Sequence, residues 1–172
     1  MSMKPAEILF GLGNEADLTT PTSTQKYALG SVISIVDPTV KAVKKYMYVY
    51  APSQCTIKVP YMITWTGTTG QEFEAVTVAT LATPGMIVGV PPATITATYY
   101  GFIQIEGLCS ANGTFTDTYF VTVLNSGPTV FADDDGSQPI LTDSSMGIAV
   151  GAGTGTDGTV LLLGRPATVR AS

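Results

Sequence analysis

The stretch "TYYGFIQIEGLCS", Thr98 to Ser110, decides how the chain is read. Its aromatic and β-branched residues read as a strand. Gly101 and Gly107 bracket a short strand, Phe102 to Glu106, and a glycine on each side lets the chain bend sharply or come close to another backbone. Ile103 and Ile105 share one face of that strand, and Phe102, Gln104 and Glu106 share the other. The aliphatic face packs a core. The mixed face belongs either to an ordinary core strand or to a contact with a neighbouring subunit.

Outward from this run the same pattern continues. From Ala28 onward the segments "ALGSVISIV", "KYMYVYA", "CTIKVPYMITW", "EFEAVTVAT", "GMIVGV", "DTYFVTVL", "PTVFA", "MGIAV" and "TVLLLG" alternate with Gly, Pro, Asn and Asp clusters at the spacing of an all-β domain. The expected fold class is an all-β sandwich or barrel. Residues 1–28 carry Pro5, Pro21 and the polar run "NEADLTTPTSTQ" with no stable period, so they read as an extended N-terminal arm before a single β domain at 29–172. Asp37 and Pro38 are placed to start a helix. The alternation of Tyr46, Tyr48 and Tyr50 with Met47 and Val49 favours a turn into a strand instead. Pro60 makes its run an edge strand or splits it, and Trp65 reads as a core or interface anchor near a turn. The chain shows no internal repeat.

Composition narrows the function. The 172 residues are 45% hydrophobic and only 12% charged, and the mean hydropathy is +0.30, so partners or symmetry mates are expected to cover part of the surface. The net charge is −5, and the cations are scattered apart from Lys41, Lys44 and Lys45, which argues against nucleic-acid binding. There is no histidine, which removes the commonest general base, the commonest metal ligand and the Ser-His and Cys-His nucleophile pairs. The sequence therefore reads as a non-enzyme without a cofactor. It offers no secretory leader and no 18-residue apolar run, so neither export by that route nor a membrane partner is expected. Cys55 and Cys109 read as buried free thiols.

Several motifs mimic sites. "GTGTDG", Gly153 to Gly158, matches the dinucleotide fingerprint, but "TVLLLG" resumes as a strand where that fingerprint needs a helix, so a hairpin loop turning at Asp157-Gly158 is expected. "DDDG" places Asp133, Asp134 and Asp135 before Gly136 without calcium-loop spacing; it reads as a solvated turn, with a cation site at a symmetry axis as the alternative. Asn112-Gly113 reads as another hairpin turn. Glu72 and Glu74 lie in "EFEAVTVAT" and Glu106 on a different expected strand, and a hydrolase would need two of them in one cleft. The tyrosines favour packing over stacking on sugars or bases.

The order of the pieces carries more than any one of them. Gly89-Val90, Ala93, Tyr100-Gly101-Phe102, Gln104 and Gly107 follow "VKAVKKYMYVYAPS" and precede "DDDG", "MGIAV" and "TVLLLGRP". This arrangement resembles the small capsid decoration, or cement, proteins of tailed bacteriophages over about two-thirds of the chain. The resemblance implies a compact antiparallel β-barrel or β-tulip-like sandwich that is trimeric, made in the host cytoplasm and seated on the capsid exterior, and whose partners are the major capsid protein and its own copies. The alternative is a tail-tube, tail-tip or head-fibre module of the virion. Candidate contact residues are Leu9, Phe10 and Leu12 in the arm, the Lys41, Lys44 and Lys45 cluster, and Tyr100, Phe102 and Gln104 on the mixed face.

Overall fold

A computed structural model describes residues 15–37, 39, 41–65, 73–76, 86–123, 131–133, 146–164 and 166–167. Within them the chain is all-β, with a single 3-10 turn at Glu15–Thr19 and no α-helix. The strands are β1 Val32–Val36, β2 Val43–Ala51, β3 Tyr61–Trp65, β4 Phe73–Val76, β5 Met86–Gly89, β6 Tyr99–Phe115, β7 Phe120–Val123, β8 Phe131–Asp133, β9 Gly147–Ala149, β10 Gly153–Leu163 and β11 Pro166–Ala167. They form one curled, mostly antiparallel sheet in the order β10-β9-β7-β8-β6-β2-β4-β3-β5-β11, with β1 on β2. The β2–β4 and β6–β8 pairs are parallel.

The pairings return to β6 twice. On one side β2, β4, β3 and β5 lead back through the Val90–Gln104 bridge. On the other, β8, β7, β9 and β10 lead back through the long β10–β6 ladder. Each circuit encloses apolar side chains. Met47, Val49, Ile63, Ala75, Ile103 and Ile105 belong to the first core, and Cys109, Ala111, Phe115, Val121, Val160 and Leu162 belong to the second.

One strand serves both cores because it carries a bulge. Tyr46 faces Gln104 but Lys45 faces Glu106, so Ile105 has no partner on β2. One extra residue exchanges the faces of everything that follows, since side chains alternate with period two. Gly107 makes the bulge possible: its φ is +93°, and a β-carbon there would run into the Val43 carbonyl. The strand is therefore 17 residues long, and Gly101 and Gly107 lie inside it rather than at its ends. Asn112-Gly113 also lies in this strand, paired with β10 and β8, so it is no hairpin turn.

"GTGTDG" likewise belongs to a strand. The β10 register shifts between Gly155 and Gly158, and the chain bends at Val150 and Gly151 before the strand starts. Gly153 and Gly158 leave room for the Phe115 ring, which any β-carbon at either position would strike. Gly153 and Gly158 serve core packing, and the helix that a dinucleotide site needs is replaced by a strand, as expected.

A repeat hidden in the sequence appears in the backbone. Residues 52–58 and 92–98 run through the same bend, bridge and turn. Cys55 and Ile95 sit at equivalent places and exchange two hydrogen bonds, 2.9 and 2.8 Å. The strands around them follow the same rule: Val49 faces Gly101 as Gly89 faces Tyr61, and Met47 faces Ile103 as Ile87 faces Ile63. The turn of this unit recurs at Ala28–Ser31 and Thr116–Tyr119. In all four, the third residue has positive φ: Gly30, Lys58, Thr98 and Thr118.

The expected turn at Asp37 is present: its carboxylate accepts the Thr39 amide at 2.8 Å, and β2 begins at Val43. Pro60 ends the bridge-and-turn segment just before β3, splitting the run "CTIKVPYMITW"; β3 itself lies inside the sheet, between β4 and β5. The arm ends earlier than expected. Leu18 is buried with Ile33, Ile35, Tyr48 and Phe102, Thr22 bridges Tyr100, and the Tyr27 ring meets Tyr48 edge-on at 5.2 Å. Residues 15–28 are thus part of the β domain, held by apolar and aromatic anchors spaced along a polar run.

Two positive-φ positions should respond in opposite directions to substitution. Gly107→Ala meets both an unfavourable backbone and the Val43 carbonyl, and should cost about 2 kcal/mol or more. Thr118→Asn places a residue that tolerates φ +70° at an exposed turn, and should gain on the order of 0.5 kcal/mol. Urea unfolding of both variants checks the pair.

Candidate functional site

The candidate contact residues that the structure describes do not converge on one surface. Successive residues of a strand point to opposite faces, so Lys44 and Lys45 part company on β2. Lys44 pairs with Asp37 at 2.7 Å and Lys45 with Glu106 at 2.7 Å. Lys41 is exposed in the preceding turn, with φ +52° and its amide donating to the Asp37 carbonyl. The basic cluster is therefore one open lysine and two neutralised ones, which is poor material for an electrostatic dock.

Phe102 and Gln104 are corrections. At 2% and 4% exposure neither is available to a neighbouring subunit. Phe102 packs under the docked segment, against Tyr48 at 4.9 Å and Tyr27 at 5.6 Å. Gln104 is a tie within the bulge: its side-chain amide donates to the Glu106 carbonyl at 3.2 Å and to the Leu108 carbonyl at 2.9 Å. It supplies hydrogen bonds where the ladder with β2 is interrupted. Tyr100 is half-buried in the same aromatic cluster, 5.2 Å from Tyr50. Leu9, Phe10 and Leu12 lie outside the described residues.

The groups with chemical potential are engaged in structure. Glu106 is held by Lys45, and Glu74, on β4, has its carboxyl raised by partial burial. Glu72, Asp134 and Asp135 lie outside the described residues, among which no three His, Cys, Asp or Glu side chains converge on a point. Both cysteines are free and buried, and burial pushes their thiols up to about 12, so they are protonated at neutral pH. Asp157, in the β10 bulge, accepts a hydrogen bond from Lys58 that holds its carboxyl below the ordinary range. A shallow cleft of about 180 Å³ lies between Lys44, Lys58, Pro91 and Gln104, with both ammonium groups already paired at its rim.

Apolar side chains face outward on the β1–β2 ribbon and at the end of β3. Val32, Val36 and Val43 are 44%, 45% and 50% exposed on one face of the β1–β2 ribbon. Trp65 is 63% exposed at the end of β3, resting edge-on against Phe73 at 5.2 Å; it is therefore not a core anchor. The signal for the valine row is visible in hindsight: Ala28 to Val36 contains no charged residue and no proline, the devices that commonly blunt an edge strand. Comparison of the chain with protein-family models, with curated proteins and with solved structures gives no match.

The docked segment has a pH signature. Tyr27 donates to the Asp17 carboxylate at 2.6 Å, and this bond, reinforced by Lys26 at 3.2 Å, lowers the carboxyl below its ordinary 3.8. A lowered folded-state value means stability that is present above pH 3.8 and lost as pH falls through the lower value. Asp17→Asn should loosen the segment at neutral pH and remove this acid-dependent loss. Amide exchange at Leu18 and Thr22, followed from pH 6 to pH 3, checks it.

Proposed function

We propose that the chain is a non-enzymatic structural protein of a virion: a decoration, or cement, protein that binds the outside of the expanded phage head as a trimer and stabilises it. The observation that carries this reading is a contrast in how side chains are used. Among the described residues, Lys26, Lys44, Lys45 and Lys58 are ion-paired with Asp17, Asp37, Glu106 and Asp157 and both thiols are buried, whereas Ile57, Trp65, Val150 and the β1–β2 valines project outward. Such a surface suits contact with other proteins. The ordered resemblance from "VKAVKKYMYVYAPS" to "TVLLLGRP" supplies the particular setting.

Mechanically the role asks little of any one contact. Several modest apolar contacts per subunit, multiplied by three linked copies, raise the cost of separating adjacent capsomers, because the second and third bind at high effective concentration. A rigid β body whose central strand belongs to two cores transmits load without yielding locally.

The purified protein should sediment saturably with undecorated expanded heads and not with unexpanded ones, and stripped heads should regain thermal stability when it is added back. Binding to neither form by well-folded protein overturns the decoration role. It would favour the tail or fibre reading, for which the exposed Trp65 offers a stacking face for glycans.

A further inference from the structure

We infer that β1 is a self-pairing edge, through which two copies of this chain join their sheets about a two-fold axis at Ser34. The inference goes beyond the decoration reading and does not depend on it, since a two-fold contact joins copies whether or not a three-fold one also exists.

The argument begins with hydrogen-bond phase. In an antiparallel pair, alternate residues bond to the partner and those between turn their peptide groups away. The Tyr48 amide donates to the Ser31 carbonyl at 2.9 Å, and the Asp37 amide donates to the Ala42 carbonyl at 2.9 Å. With an unbroken register between them, Ile33 and Ile35 bond inward to β2. The N–H and C=O groups of Val32, Ser34 and Val36 therefore point outward, and among the described residues no strand pairs with them.

The sequence of that edge is a palindrome, Val-Ile-Ser-Ile-Val. An antiparallel partner related by a two-fold axis at Ser34 puts Ser34 opposite Ser34, Val32 opposite Val36 and Val36 opposite Val32. The residues thus brought together are the ones whose peptide groups are free, so the register completes about six hydrogen bonds. A register shifted by one residue would set outward-facing groups against inward-facing ones.

The side chains agree with this register. Burial along β1 alternates, with Ile33 and Ile35 inside and Val32, Ser34 and Val36 outside. On β2, Val43 lies opposite Val36 and Met47 opposite Val32. Pairing therefore lines up Val43 and Val36 of one copy with Val32 and Met47 of the other, an apolar row across four strands that covers the exposed valines. The strand carries no charge, and each nearby lysine on β2 has an acidic partner in its own chain, Lys44 with Asp37 and Lys45 with Glu106. On β1 and β2 themselves, no unpaired charge opposes the approach.

Sedimentation equilibrium of the full chain tests this directly. The wild type should show an assembly that Val36→Lys reduces to half its mass, to 17.9 kDa if β1 supplies the sole contact. The site is exposed, so the domain should stay folded, and an unchanged circular dichroism spectrum verifies that. Ser34→Cys provides a second readout: across the axis the two α-carbons would lie about 5.5 Å apart, within disulfide reach. Mild oxidation should give a covalent dimer, whereas Val150→Cys should not; Cys55 and Cys109 are buried in both. An assembly whose mass is indifferent to Val36→Lys overturns the inference and leaves the decoration reading intact. So does amide protection at Val32, Ser34 and Val36 that is independent of protein concentration and disappears when residues 1–14 are deleted, since the chain's own arm would then be the occupant.

Discussion

The fold depends on one strand being turned over without being broken. Two cores need a common wall, and β6 supplies it because Ile105 is left unpaired on β2 and Gly107 adopts φ +93°. Before the bulge Ile103 and Ile105 feed one core; after it Cys109, Ala111 and Phe115 feed the other. A bulge costs ladder hydrogen bonds, and the Gln104 side chain offsets that by binding the Glu106 and Leu108 carbonyls. A buried glutamine and a left-handed glycine thus stand in for the two ladder residues that a regular strand would have.

The second constraint is the crossing of two equivalent loops. Cys55 and Ile95 are fully buried and bonded to each other by both peptide groups. Around them each unit's first strand pairs with the other unit's second strand, so neither unit closes its ladder alone. That exchange makes many contacts long-range in sequence, which favours slow folding and a cooperative product.

Much of this was legible in the residues. β-branched and aromatic runs located the strands, the tyrosine alternation favoured a turn over a helix at Asp37, and low charge announced exposed apolar surface. The shared core face of Ile103 and Ile105 was legible, but the continuation of β6 past Gly107 was not, because a glycine that ends a strand and a glycine that permits a bulge look alike in sequence. Gln104 looked like a surface residue for the same reason: alternation places it opposite the isoleucines, and only the bulge gives its amide two carbonyls to bind. Asn112-Gly113 and Asp157-Gly158 are favoured turn pairs, yet long pairing along β6 and the room needed by Phe115 outweighed local preference. The recurring turn was present as "TITATYY" and "TFTDTYF", Thr94 to Tyr100 and Thr114 to Phe120, but its meaning lies in backbone torsions rather than in the apolar pattern. The arm was misjudged because three anchors, Leu18, Thr22 and Tyr27, are too widely spaced to give a period.

Native-state amide exchange, followed residue by residue through increasing denaturant, tests the shared wall most directly. If β6 couples both cores, the amides of Ile103 in the first and Val160 in the second should open with one common free energy and one common denaturant dependence. Two separate isotherms, with one core opening while the other stays protected, would contradict that coupling.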